Sequence, residues 1–195
     1  MKILVTGNPN FGLAESISKI YTDAKFVTKS AGFDLTSPIK QDELSDIALD
    51  YDVFVVCAYI PNYVPNILLQ KVYDNCKNNN HKIHIIVIGS TVDRVKDGRV
   101  WKYAEEKKAL RDMCNTLAMH GVWKSGPKVS LISFGTLSNN KDKHPDRNCM
   151  DIDKAGEYIK WLMNQPNDVN INEVSIDPMQ NKDWQWPHKH LVTQL

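Results

Sequence analysis

The sequence predicts an α/β fold, a single doubly wound domain with a mostly parallel sheet of about seven strands. First, short runs rich in valine and isoleucine lack polar alternation, which is typical of strands buried on both faces of a parallel sheet. Second, these runs alternate with amphipathic stretches of helical length, as right-handed βαβ crossovers require. Third, the length of 195 residues suits one domain with one core.

Six apolar runs are the predicted strands, and a shorter segment is a candidate for one more. The runs lie at residues 2–7, 25–28, 53–58, 83–90, 128–135 and 172–176, and the shorter segment lies at 32–35. Apolar residues recur on one helical face between them, which predicts helices at 12–23, 63–77, 101–120 and 151–164. We expect residues 1–179 to form the domain, and 180–195 to form a tail that packs on the domain or on a partner subunit.

Composition and charge exclude several classes of function. The formal net charge is +1, so no basic field favours a nucleic-acid partner. No apolar run reaches the roughly 18 residues that cross a bilayer, so no membrane partner is expected, and the N-terminal run is interpreted as a core strand rather than a signal peptide. The four cysteines form no C-x-x-C motif, which favours reduced thiols and a cytoplasmic location. His188 and His190 lack an evident third ligand, so no metal site is expected.

A glycine turn follows the first predicted strand, where a doubly wound fold receives a pyrophosphate. There the backbone has to approach the phosphates closely, and the N-terminus of the next helix offers unpaired N–H groups and the positive end of its dipole. The turn therefore predicts a Rossmann-type dinucleotide site. Its residues are Gly7, Asn8, Asn10, Phe11, Gly12 and Leu13.

The residues after the second predicted strand bear on the choice of cofactor. Folds of this kind that bind NAD usually place an acidic residue here to hold the ribose diol. Lys29 and Ser30 stand at this point instead, and both are suited to bind the 2′-phosphate of NADP. We therefore expect NADP(H) to be favoured over NAD(H), with a solvated surface lysine as the alternative interpretation of Lys29.

A serine, a tyrosine and a lysine have a spacing that predicts acid–base chemistry. Ser90 ends a predicted strand, Tyr103 follows thirteen residues later, and Lys107 lies four residues further on. An ammonium lowers the pKa of a nearby phenol from its usual value of about 10, and a serine hydroxyl can hold a carbonyl oxygen. The pattern Tyr-x-x-x-Lys also begins at Tyr21 and at Tyr73, but only Tyr103 has a strand-terminal serine thirteen residues before it.

On these residues the chain resembles the short-chain dehydrogenase/reductase family, and the likeness extends over nearly the whole chain. The glycine turn is similar to the family's nucleotide turn, and Ser90, Tyr103 and Lys107 match its catalytic serine, tyrosine and lysine. The resemblance implies an oxidoreductase that interconverts a carbonyl and an alcohol, with a small-molecule substrate and a homodimer or homotetramer as its assembly. It also implies that Lys107 binds the nicotinamide ribose.

The resemblance implies further site residues. Asn66, or else Asn62, matches the catalytic asparagine of the family. Tyr59 stands where the family has a glycine, and Phe134 stands where it has a proline. The other implied cofactor contacts are Asp34 and Leu35 beside the adenine, Cys57, Ala58 and Tyr59 at the end of the run 53–58, and Phe134, Gly135 and Thr136 beside the nicotinamide.

Two other functions stay open on the sequence. The first is an NADP-binding sensor or scaffold that does not catalyse, because Ala14 and Tyr59 both stand where the family has glycine. The second is an epimerase or dehydratase of the related extended type, although the short C-terminal region leaves little room for a sugar-nucleotide lobe. Turnover of small aldehydes and ketones would separate the oxidoreductase from the sensor.

Overall fold

A parallel β-sheet forms the centre of the protein. The computed structural model describes residues 1–94 and 101–180. Within them the strands are β1 (Ile3–Thr6), β2 (Lys25–Val27), β3 (Val53–Val56), β4 (His84–Ser90), β5 (Lys128–Phe134) and β6 (Glu173–Ile176). The sheet order is β2-β1-β3-β4-β5-β6, and every neighbouring pair is parallel. The order reverses between β1 and β3, which is where doubly wound folds bind ligands, outside the carboxyl ends of the strands.

Helices cover both faces of this sheet. In the described residues they are α1 (Gly12–Ile20), α2 (Pro38–Ile47), α3 (Val64–Asn78), α4 (Lys102–Lys124) and α5 (Ile152–Met163). Helices α2, α3 and α4 pack on one face, where Leu44, Leu68 and Leu110 are buried. Helices α1 and α5 pack on the other, where Ile17 and Ile159 are buried. Because both faces are covered, the strands contain continuous valine and isoleucine instead of alternating polar residues.

The predicted fold class is confirmed, with six strands in the described residues rather than about seven. The candidate strand at 32–35 is a turn. Gly32 has a φ of +87°, which is not an extended conformation, and the Asp34 side chain accepts the backbone N–H of Thr36 at 3.1 Å. These local bonds occupy the backbone in place of a strand ladder.

The sequence did not predict α2, and its burial pattern explains why. This helix buries Gln41 and Ser45 together with Leu44, so its inner face has no clear apolar periodicity. Gln41 is satisfied there because its side-chain amide donates to the carbonyl of Leu35 at 2.8 Å. The other four helices form near their predicted positions, and α4 extends to Lys124.

Most of the predicted tail lies outside the described residues. This holds for Trp184, Trp186, His188 and His190, whereas Gln180 is described. The Gln180 side chain accepts from the backbone N–H of Asn148 and donates to its carbonyl, at 3.0 and 3.1 Å. Among the described residues, no helix is both long and apolar enough to cross a membrane.

Candidate active site

A cleft of about 1570 Å³ lies at the carboxyl ends of the central strands. Its walls include Gly7 after β1, Cys57 after β3, Ser90 at the end of β4 and Phe134 at the end of β5. Pockets for small ligands usually measure about 300–1,000 Å³. The cleft therefore has room for a cofactor and a substrate side by side, at the place where this sheet topology favours binding.

Thr6 joins the two strands that flank the switch point. It is fully buried at the end of β1, and its hydroxyl accepts the backbone N–H groups of Cys57 and Ala58 at 2.9 and 3.1 Å. The same hydroxyl lies 3.4 Å from the carbonyl of Val55. These bonds hold the backbone after β3 next to the glycine turn, and they maintain the crevice between these two segments.

The glycine turn has the backbone that a pyrophosphate site requires. Gly7 and Gly12 have φ angles of +134° and +63°, which side chains other than glycine rarely adopt. A Cβ on Gly7 would lie 3.1 Å from the Cβ of Ala14, so the turn also packs closely on α1. No side chain caps the N-terminus of α1 at Phe11, and this leaves backbone N–H groups for an anion.

Ser90, Tyr103 and Lys107 all line this cleft. Strand β4 ends at Ser90, while Tyr103 and Lys107 lie one turn apart on the same face of α4. Lys107 is buried, and its ammonium donates to the carbonyl of Ile88 at 2.7 Å. The Nζ of Lys107 lies 5.8 Å from the centre of the Tyr103 ring. The structure thus brings the three residues together in one cleft.

The other two Tyr-x-x-x-Lys pairs do not line the cleft. Tyr73 is buried in α3, and its hydroxyl lies 2.7 Å from Nδ1 of His120. Tyr21 follows α1, and Lys25 begins β2, so this pair does not share a helix. The serine at the end of β4 therefore identified the one pair of the three that lines the cleft.

Burial shifts the pKa values of both Lys107 and Tyr103. Burial lowers the pKa of Lys107 to about 8, although nearby groups that include Cys57 and Asp93 raise it by smaller amounts. The ammonium is therefore still mostly protonated at pH 7. Burial raises the pKa of Tyr103, and a hydrogen bond with Ser90 partly offsets this. The spacing predicted that Lys107 would lower the pKa of this phenol, whereas here burial raises it and the Lys107 ammonium donates to the carbonyl of Ile88.

A buried carboxylate that the sequence analysis missed lies beside these residues. Glu106 is 3% exposed, and its two oxygens accept from the Tyr59 hydroxyl and from the backbone N–H of Asn62, both at 3.0 Å. The Tyr59 ring meets the Tyr103 ring edge-on, with centres 4.8 Å apart. We call these contacts the Glu106 clamp. The sequence did not reveal this burial, because Glu106 lies in a charged stretch and such a stretch usually indicates a solvent-facing helix.

The turn after β5 forms another part of the cleft wall. Phe134, Gly135 and Thr136 all line it, as the resemblance implied. The backbone N–H of Gly135 donates to the carbonyl of Ile176 at 2.9 Å, and a Cβ on Gly135 would collide with Asp177. Glycine is required here because the chain after β6 packs directly against this turn.

Six of the predicted site residues do not line the cleft. They are Asn10, Lys29, Ser30, Asp34, Leu35 and Asn66. Lys29 forms an ion pair with Asp34 at 2.8 Å, and with Thr36 it lowers the pKa of that carboxyl to about 2. Asn66 and Leu35 are buried, and the side chain of Asn62, the other candidate asparagine, accepts from Lys102 at 2.6 Å. Their predicted roles stay predictions.

In the described residues, no three His, Cys, Asp or Glu side chains are grouped to hold a metal.

Comparison with solved structures identifies the fold. No protein-family model and no curated protein matches the chain. The closed form of serine dehydrogenase complexed with NADP⁺ aligns with a TM-score of 0.74 at 15% identity, over 96% of this chain and 97% of that one. 4-Hydroxyisoleucine dehydrogenase complexed with NADH and succinate aligns with 0.68 at 18%, over 90% and 97%. A short chain dehydrogenase from Burkholderia cenocepacia in complex with NADP aligns with 0.69 at 12%, over 90% and 89%. This chain has the fold of the short-chain dehydrogenases.

Proposed function

We propose that the protein is a nicotinamide-dependent oxidoreductase that interconverts a carbonyl and an alcohol. The observation that carries this proposal is the position of Ser90, Tyr103 and Lys107 in the same cleft as the glycine turn. A proton donor, a hydrogen-bond donor and a cation therefore face the space beside a pyrophosphate site. The oxidoreductases among the solved structures of the same fold support the same chemistry.

The residues present fit a dinucleotide. The glycine turn and the uncapped start of α1 would hold the pyrophosphate, and the buried Lys107 would hold the nicotinamide ribose. A bound nicotinamide supplies or accepts the hydride. In reduction, Ser90 holds the carbonyl oxygen and Tyr103 donates its proton to that oxygen. In oxidation, Tyr103 takes the proton back.

We propose NADP(H) rather than NAD(H) as the preferred cofactor. Lys29 supports this choice because it is the cation that follows β2, and its side chain is 79% exposed. Its ion pair with Asp34 has to open or rearrange when a 2′-phosphate binds. Of the three solved structures compared above, two contain NADP and one contains NADH, so the comparison of NADPH and NADH affinities decides between the two cofactors.

Fluorescence titration with NADPH, followed by its oxidation with a panel of small aldehydes and ketones, tests the proposed activity. We expect saturable binding and turnover of at least one carbonyl. Absence of binding would overturn the proposal. Binding without turnover would favour the sensor or scaffold, a second candidate supported by the Tyr59 ring, which lies in the cleft 4.8 Å from the Tyr103 ring.

We further propose a cytoplasmic homodimer or homotetramer. The four cysteines are free, which agrees with a reducing compartment. Met119, Val122 and Trp123 are exposed at the end of α4, and Trp123 is 73% exposed. Exposed apolar side chains grouped in this way often mark an interface between subunits. Light scattering after gel filtration measures the mass, and a monomer at all concentrations would contradict the proposed assembly.

A further inference from the structure

We propose that Tyr59 is a positioning residue that holds Tyr103 and Lys107 in place for proton transfer, and that Glu106 acts on the reaction through Tyr59. The resemblance implies a cofactor contact for Tyr59, and it assigns no role to Glu106. This role rests on the proposed function, because it adds two residues to the machinery of that reaction.

The Tyr59 ring lies against both of the groups that would move and hold the proton. The ring centres of Tyr59 and Tyr103 are 4.8 Å apart, and the ring planes meet at 88°. The Nζ of Lys107 lies 5.6 Å from the centre of the Tyr59 ring and 5.8 Å from that of the Tyr103 ring. Edge-to-face ring pairs and cation–ring contacts at such distances are favourable. The two rings and the ammonium therefore form a compact triangle.

Glu106 fixes the far end of the Tyr59 side chain. The Tyr59 hydroxyl donates to one carboxylate oxygen of Glu106 at 3.0 Å, and the backbone N–H of Asn62 donates to the other at 3.0 Å. Glu106 is 3% exposed, and hydrogen bonds to a buried charge are strong. Because Glu106 directly precedes Lys107 on α4, the helix that carries the reacting groups also carries the tether that holds Tyr59 beside them.

The bonding of Tyr59 favours a positioning role over a cofactor contact. Tyr59 is 39% exposed and lines the cleft, so part of its ring can still face a ligand. Its hydroxyl, however, is used by Glu106, and its ring packs on Tyr103. Loss of a cofactor contact would mainly weaken NADPH binding, whereas loss of positioning lowers kcat.

The orientation of the Tyr103 ring needs support that Lys107 does not give. The Lys107 ammonium donates to the carbonyl of Ile88, and Ser90 is hydrogen-bonded to the Tyr103 hydroxyl. Ser90 thus holds the oxygen of the phenol, and Tyr59 holds the ring. A proton donor has to lie within hydrogen-bond reach of the substrate oxygen, and a misplacement of about 1 Å lowers the rate by about 10²-fold.

The variant Tyr59→Phe tests this role by kinetics, since it keeps the ring and loses the bond to Glu106. We expect kcat to fall by about ten-fold and the NADPH dissociation constant to change by less than about three-fold. Tyr63→Phe is the matched control. Tyr63 lies in the same loop, is 45% exposed and does not line the cleft, so kcat should stay at the wild-type value.

Variants of Glu106 test whether this residue acts through Tyr59. Glu106→Leu should lower kcat about as much as Tyr59→Phe. Glu106→Gln should restore most of it, because the amide can accept from the Asn62 N–H and donate to the Tyr59 hydroxyl. In the double variant of Glu106→Leu and Tyr59→Phe, kcat should fall no further than in Glu106→Leu alone. Multiplication of the two separate losses would contradict the proposed coupling.

The flip rate of the Tyr103 ring tests the positioning without turnover. NMR of the protein with ¹³C-labelled tyrosine rings measures this rate, and the spectrum of Tyr103→Phe assigns the signal. In Tyr59→Leu the rate should rise by about ten-fold or more, because the packed ring that hinders the flip is gone. In Tyr63→Phe it should not change. If the wild type oxidises NADPH with no carbonyl, the proposed function fails, and this rate still decides whether Tyr59 holds Tyr103.

Three results would overturn the positioning role. One is a wild-type kcat in Tyr59→Phe. Another is a loss of NADPH affinity in Tyr59→Phe without a fall in kcat, which would make Tyr59 a cofactor contact. The last is an unchanged flip rate of Tyr103 in Tyr59→Leu.

Discussion

At the scale of single residues, the buried ammonium of Lys107 is the group that links stability to function. Its side chain is 5% exposed, and burial lowers its pKa to about 8. A buried cation is costly even when a carbonyl such as that of Ile88 accepts from it. A charge retained at such a position agrees with the role proposed for Lys107, the binding of the nicotinamide ribose.

Replacing this residue by Lys107→Met should change stability in a manner that depends on pH. The folded pKa lies below the ordinary value of 10.5, so the cost of the charge is fully present below about pH 8 and disappears as the pH rises toward 10.5. The stability of the wild type relative to Lys107→Met should therefore increase by about 3 kcal/mol between pH 7 and pH 10.5. Urea unfolding of both proteins measures this, and a constant difference would contradict it.

Gly7 is the residue whose backbone shapes the nucleotide turn. Gly7→Ala should weaken NADPH binding by about ten-fold or more, because the added methyl is strained at a φ of +134° and crowds Ala14. Asn80→Ala is a control, since Asn80 also has a positive φ, of 52°, and does not line the cleft. Both variants should lose stability, and only Gly7→Ala should lose affinity in the fluorescence titration. Equal affinities of the two variants would contradict this role of the turn.

At the scale of secondary-structure elements, the Glu106 clamp joins α4 to the loop after β3. One carboxylate of α4 accepts from the Tyr59 hydroxyl and from the Asn62 backbone. Asn62 and Tyr63 both have positive φ angles, of 67° and 58°, which asparagine tolerates and tyrosine rarely adopts. The clamp thus holds a strained loop against the helix that carries Tyr103 and Lys107.

Removing the clamp should destabilise the protein by an amount that depends on the replacement. Glu106→Leu leaves the Tyr59 hydroxyl and the Asn62 N–H without their acceptor and should cost about 2 kcal/mol or more. Glu106→Gln keeps one carbonyl oxygen for the Asn62 N–H and should cost clearly less. Denaturant unfolding gives both values, and hydrogen exchange at residues 59–62 shows whether the loop opens. A Glu106→Leu variant as stable as the wild type would contradict this role of the clamp.

Element by element, the parts of this fold differed in how far the sequence predicted them. The strands were predicted because a central parallel strand needs apolar residues on both faces, as in Ile85 to Ile88. Helix α2 was not, because it buries Gln41 through a single side-chain bond to the carbonyl of Leu35. The Glu106 clamp was not predicted either. A carboxylate is buried only where another element supplies its hydrogen-bond partners, and the periodicity of the sequence does not reveal those partners.

At the scale of the whole molecule, the sheet topology assembles the candidate site. Parallel strands end at the same edge, so the glycine turn, Ser90 and the turn at Gly135 lie around one cleft although they are far apart in sequence. The sequence could predict this grouping because it follows from strand order. The ion pair of Lys29 with Asp34 and the buried position of Asn66 depend on side-chain packing, which the strand order leaves undetermined.

The most direct measurement is a comparison of Tyr103→Phe with the wild type, using NADPH and the best carbonyl of the panel. Tyr21→Phe is the matched control, because Tyr21 begins another Tyr-x-x-x-Lys pattern and does not line the cleft. If Tyr103 is the proton donor, Tyr103→Phe lowers kcat by about 10²–10⁴-fold and changes the NADPH dissociation constant by less than about three-fold, while Tyr21→Phe turns over normally. Wild-type kcat in Tyr103→Phe would contradict the proposed mechanism.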